Sequence, residues 1–254
     1  MIELFSPLVI LCAIIAVTLT GLGKGGLSGI GMLATPLLAS VIPPVTAAAI
    51  MLPVLIVQDA FSVWNYRRDY DLHNLLILVP SGVVGIVAGY LLAAHLSQAA
   101  VALALGAISI VFSLRSLLFP MKAAVPVGRP STGFGWLCGM MSGFTSMIAH
   151  AGGPPFQIYV MPQRLARDIF VGTGVILFGI LNVFKVVPYV ALGQLTTTSL
   201  YASLLLAPLA IAATYAGIWL VRRIDQEKFY TITYVLLALV GLKLCWDGVS
   251  GLLI

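Results

Sequence analysis

The chain has 254 residues, of which 61% are hydrophobic and 8% charged, against roughly 25% charged in an ordinary soluble domain. No soluble fold hides that much apolar surface, and the short polar connections leave no room for a sizeable domain outside a bilayer. The net charge of +5 does not point to nucleic acid, because the basic residues are few and scattered through short loops, as membrane topology dictates; Cys12, Cys138 and Cys245 lie in apolar segments without CxxC spacing, so neither a disulfide framework nor a zinc site is indicated.

A hydrocarbon core about 30 Å thick takes roughly 20 apolar residues per helical crossing. Ten hydrophobic segments are predicted, at 5–22, 27–42, 44–64, 73–94, 97–119, 132–149, 153–162, 168–191, 198–221 and 228–249. The first has no basic leader and no small-residue cleavage site, and is read as retained, not as a signal peptide. Pro120, Pro126 and Pro130, with Lys122 and Arg129, have the composition of an exposed linker. The chain therefore divides into a first transmembrane repeat at 1–118, a cytoplasmic linker at 119–131 and a second repeat at 132–254.

The two halves resemble one another. Cys12, Gly26 and Pro36 recur 126 positions later as Cys138, Gly152 and Pro162, and Pro80, Gly89 and Arg115 recur 128 positions later as Pro208, Gly217 and Lys243. Positive residues beside membrane helices favour the cytoplasm, and the equivalent connections carry opposite signals. In the first half the connection at 42–45 is uncharged, Arg67 and Arg68 follow, the 95–97 connection has only His95, and the linker is basic. In the second half Arg164 and Arg167 come first, then the uncharged 193–196, then Arg222, Arg223 and Lys228, then an uncharged C-terminus. Five segments per half, an odd number, is what inversion requires. The expected fold is an all-α polytopic membrane protein of two inverted-topology repeats of five segments each, with broken or re-entrant helices opening each half and both termini periplasmic. Inverted repeats are a common architecture of secondary transporters, which work by alternating access around one central site.

Chemistry concentrates at the two breaks. Thr20 to Gly31 sets six glycines into an apolar stretch, and His150-Ala151-Gly152-Gly153-Pro154-Pro155 occupies the equivalent place in the second half. Non-helical backbone at membrane depth is tolerated only where protein or a water-filled cavity surrounds it. A break leaves the first N–H groups of the next half-helix unpaired, an anion site in waiting. Lys24 and His150 flank the breaks, so the candidate substrate-binding residues are Lys24, Gly25, Gly26, Ser28, His150, Gly152, Gly153 and Gln157. Gln58, Asn182 and Lys185 are candidate cavity-lining residues, the last two sharing a helix face. Asp59 lies two helical turns before Arg67 and either pairs with it or serves as a proton or gating carboxylate. Lys243 and Arg115 read as side chains snorkelling to an interface. No HExxH, GxSxG or Walker A pattern occurs, so no enzyme activity, metal or cofactor is indicated.

Gly21-Leu22-Gly23-Lys24-Gly25-Gly26 followed by Thr35-Pro36-Leu37-Leu38, with the second glycine-rich motif before Met161-Pro162, resembles the TauE/SafE sulfite exporter family of bacterial permeases across essentially the whole chain. The second motif departs from that family's run of three glycines and marks a distinct subgroup. The resemblance implies a multi-pass protein of the bacterial inner membrane that exports or imports sulfite, an organosulfonate such as sulfoacetate or a related organic anion, coupled to the proton gradient, with His150 as the candidate proton carrier. Its partners would be the small anion and membrane lipid, with a homo-oligomer an allowed assembly. Two alternatives are a proton- or cation-coupled transporter of a neutral or thiol-containing solute, in which Lys24 pairs with Asp59, and a non-transporting membrane subunit.

Overall fold

A computed structural model describes residues 6–27, 30–92, 97–118 and 128–253. Among these residues there are ten α-helices and no strand. The first half holds α1 (Pro7–Lys24), a 3₁₀ turn (Ile30–Leu33) running into α2 (Ala34–Ala39), α3 (Pro44–Tyr66), α4 (Leu72–Leu92) and α5 (Gln98–Leu118). The second holds α6 (Thr132–Ala149), α7 (Gly153–Val160) with a 3₁₀ turn (Met161–Gln163), α8 (Arg167–Ala191), α9 (Thr197–Val221) and α10 (Gln226–Leu253). Of the linker expected at 119–131, only 128–131 lies within the described residues.

Seven helices, α1, α3, α4, α5, α8, α9 and α10, are long and apolar enough to cross a membrane. Their outer faces carry Leu8, Val111 and Leu204, each at least 60% exposed, which water would penalise and acyl chains accept. The short elements behave differently. At 1.5 Å per residue the eight residues of α7 rise about 12 Å, well short of a crossing, and α2 is shorter still. The second predicted segment of each half is thus a half-helix that dips into the protein.

Packing partners exchange when the halves are exchanged. α1 packs on α9 as α6 packs on α4; α3 packs on α9 and α8 on α4; α5 pairs with α10 and α3 with α8. Helices in lipid gain nothing from hydrophobic sorting and associate by close approach of small residues, and these seams show it. A Cβ on Gly217 would lie 2.9 Å from Leu22 on α1, one on Gly85 would collide with the Met140 carbonyl on α6, and one on Gly106 would lie 2.7 Å from the Gly241 carbonyl oxygen on α10.

One end of the bundle gathers the basic connections. Asp71 pairs with Arg129 at 2.9 Å and its amide donates to Thr173 Oγ1 at 2.8 Å; Arg167 donates to the Ile224 carbonyl at 2.6 Å; Arg222 stands 5.5 Å over the Tyr66 ring. Arg67 over Trp64 and Arg223 over Trp219 add the aromatic–cation pairs of an interfacial belt. Lys243, expected to snorkel, lies within α10 and pairs with Asp247 one turn on.

Candidate functional site

The helix breaks are built from satisfied backbone. In the second half α6 ends on His150, whose φ of 51° is left-handed, a conformation that costs a side-chain-bearing residue of order 1 kcal/mol. Ser142 Oγ donates to the Gly152 carbonyl at 2.6 Å and Thr145 Oγ1 to the Ala151 carbonyl at 3.0 Å. In the first half Ser62 Oγ donates to the Lys24 carbonyl and Tyr66 Oη to the Gly25 carbonyl, each at 3.1 Å. Unwound backbone at membrane depth thus finds its partners in protein, as it must.

Both breaks open on one cavity of about 110 Å³. α1 and the 3₁₀ turn contribute Thr20, Gly23, Lys24 and Gly31; α6 contributes Ser146, followed by His150 and Gly152; α7 contributes Gly153, Phe156 and Gln157; α8 contributes Phe178, Asn182 and Lys185. The α8 residues recur at helical spacing, so one face of that helix supplies them all.

Two polar pairs face each other there. Lys24 is ion-paired with Asp59, whose other oxygen accepts from Asn182 Nδ2 at 2.6 Å. Lys185, 1% exposed, donates to the Ser146 carbonyl at 3.3 Å and hydroxyl at 3.1 Å, and its Nζ lies 3.2 Å from His150 Nδ1. His150 Nε2 in turn lies 3.0 Å from Tyr189 Oη. With Lys185 an ammonium, Nδ1 is the acceptor and Nε2 carries the hydrogen, which makes Tyr189 Oη its acceptor. Lys24 to His150 and Asp59 to Lys185 are each a shift of 126 positions. At that spacing the second pair has imidazole where the first has ammonium, and ammonium where the first has carboxylate. Gln157, fully buried, has neither amide atom bonded among the described residues, although buried amides are nearly always partnered.

The family model described as sulfite exporter TauE/SafE matches residues 11–244 of the 254. The chain belongs to the TauE/SafE sulfite exporter family. No curated protein and no solved structure matches it. As a TauE/SafE member with seven long apolar helices it is a multi-pass membrane protein of a family of exporters, not of enzymes.

In this TauE/SafE chain Lys24, His150, Gly152, Gly153, Gln157, Asn182 and Lys185 all reach the cavity wall. Ser28 lies outside the described residues. Gly25 and Gly26 are turned away from it: a Cβ on Gly25 would collide with Gly217 of α9, and Gly26, at φ 130°, faces Val171 and Val221. Gln58 is buried behind the wall, donating to the Val17 carbonyl at 3.1 Å. The pairing of Asp59 with Arg67 is corrected: Asp59 faces inward to Lys24 and Asn182, while Arg67 caps the Trp64 carbonyl. Sequence reasoning missed Tyr189, four residues from Lys185 and so on the same face of α8, missed Ser146 in the last turn of α6 before His150, and missed Phe178, whose ring lies 5.7 Å from Lys24 Nζ.

Proposed function

We propose that this TauE/SafE member is a secondary transporter of a small anion, sulfite or an organosulfonate such as sulfoacetate, working by alternating access and coupled to the proton gradient in a bacterial inner membrane. One observation carries the reading: the cavity wall carries two lysines, and one carboxylate, Asp59, stands behind the first of them. Asp59 answers Lys24, and among the described residues Lys185 meets only neutral acceptors. A buried ammonium without a counter-ion is costly, and an anion entering beside it supplies the missing charge. The Gln157 amide, unbonded among the described residues, and the Gly153 N–H that opens α7 ahead of Pro154 and Pro155 offer further donors to its oxygens. The exchange of packing partners between the halves supports reading them as repeats that can swap inward-open and outward-open arrangements.

Binding to the purified protein, read as thermal stabilisation, tests this. Sulfite or sulfoacetate raises the unfolding temperature of the wild type. In Lys185→Met the loss of one charge-assisted hydrogen bond, about 1.5–3 kcal/mol, weakens binding roughly tenfold to a hundredfold, while the ligand-free protein becomes more stable because an uncompensated buried charge has gone. Unchanged binding in Lys185→Met refutes the assignment. The Lys24–Asp59 pair favours the second reading, a neutral solute carried with a cation; under it neutral analogues compete for uptake into proteoliposomes and sulfonates do not.

A further inference from the structure

The anion reading leaves the charge of the anion open, and the two polar pairs bear on it directly. Lys24 and Asp59 cancel. His150 and Lys185 touch through Nδ1 and Nζ at 3.2 Å, a contact that needs one nitrogen to donate and the other to accept. With Lys185 charged and His150 neutral the whole cluster carries one positive charge. A second proton on His150 Nδ1 turns both nitrogens into donors, abolishes the Lys185–His150 hydrogen bond and sets two cations side by side. Only a ligand that brings two negative charges and acceptors for both donors makes that state favourable.

We propose that the cavity is charge-matched to a singly charged anion as it stands, and that a doubly charged anion binds only together with one proton, taken from solvent onto the His150–Lys185 pair. This rests on the anion reading above. In the binding step one N–H bond forms at His150 Nδ1, the hydrogen bond from Lys185 Nζ to that atom breaks, and Nζ and Nδ1 each donate to an oxygen of the dianion; His150 Nε2 keeps its hydrogen bond to Tyr189 Oη throughout. The charged and titratable groups facing His150 are Lys185 and Tyr189 from α8 and Lys24 from α1, with Asp59 of α3 behind Lys24. α7 faces the cavity with the neutral Gln157, and the Lys243–Asp247 pair of α10 is neutral in itself. No second carboxylate stands among these groups, so an ammonium on the ligand would find no partner, and a zwitterionic sulfonate is disfavoured by the same count.

Methanesulfonate and methanedisulfonate keep charges of one and two across the whole neutral range, so they separate ligand charge from ligand titration. Their binding to the intact purified protein is measured by calorimetry between about pH 6 and pH 8, in two buffers of different ionisation enthalpy so that protons taken up are counted. Methanesulfonate binds with an affinity flat in pH and takes up no proton. Methanedisulfonate takes up one, and by linkage its affinity falls about tenfold per pH unit. In His150→Gln that slope disappears. Equal proton uptake by the two anions, or none with the dianion, overturns the proposal on the wild type alone; a slope that survives in His150→Gln removes it from this pair. Failure of both anions to bind instead sinks the anion reading on which it rests.

Discussion

Lys24 and Asp59 meet at the cavity wall, Asp59 behind Lys24, with side chains 15% and 5% exposed, so each is the counter-ion the other needs. Removing one partner of a buried pair leaves an uncompensated charge, at a cost of about 3–5 kcal/mol, whereas replacing both with apolar residues of similar volume is often neutral. Lys24→Met is therefore strongly destabilising, and Lys24→Met with Asp59→Leu recovers most of the loss. Denaturant unfolding of the purified single and double variants checks this; a double variant as unstable as the single one disproves the pairing as an energetic unit. The neighbouring Asn182 amide, donating to Asp59 at 2.6 Å, ties α8 to that pair. It links the two halves through a residue that the sequence shows only as a polar position in an apolar helix.

At the scale of the helix, glycine sets how closely partners approach. A Cβ on Gly85 would run into the Met140 carbonyl of α6, and one on Gly217 into Leu22 of α1, whereas one on Gly133 would meet nothing within 4 Å among the described residues. Backbone atoms cannot step aside as the end of a long side chain can, so Gly85→Val and Gly217→Val each cost about 1–3 kcal/mol or more through overpacking. Gly133→Ala stays within about 0.5 kcal/mol of wild type. Thermal unfolding in detergent measures all three, and equal stability of the three variants contradicts the seams. The pattern also separates the glycines of the first break by role. Gly25 and Gly26 hold α1 against α9 and α8, and Gly23 and Gly31 let α1 and the 3₁₀ turn approach at the cavity wall, where a Cβ on Gly23 would lie 3.0 Å from the Gly31 backbone nitrogen, a distinction that spacing along the chain does not carry.

The whole molecule has a direction as well as a packing. Tyr70, just before α4, and Thr197, opening α9, are exposed positions at equivalent points of the two halves. If the repeats are inverted, they lie on opposite faces of the membrane. In a background lacking Cys12, Cys138 and Cys245, Thr197→Cys is labelled by a membrane-impermeant maleimide in intact cells, and Tyr70→Cys only after permeabilisation. Labelling of both from one side makes the repeats parallel and removes the basis for exchanging inward-open and outward-open states. The clustering of Arg129, Arg167 and Arg222 around Asp71, Ile224 and Tyr66 at one end agrees with the charge pattern that assigns these loops to one side.

Much of this was legible without coordinates because a bilayer is a severe solvent. Apolar run length reports helices directly, so the predicted 73–94, 132–149 and 198–221 became α4, α6 and α9 within two residues at each end, and glycine-rich interruption marks a break because a helix cannot persist there cheaply. Lys24, His150, Gln157, Asn182 and Lys185 stood out for the same reason: an ionisable or amide group in an apolar run is expensive and needs a reason to be there. Which group answers which was decided only in three dimensions. Asp59 is 35 positions from Lys24 and 123 from Asn182, and its partner depends on the rotation of α3 about its own axis, which packing against α8 and α9 sets and composition does not. The same holds for Lys185, which among the described residues has no carboxylate within ion-pair distance, a property of the assembled cavity, where distances of a few ångströms determine whether a charge is matched.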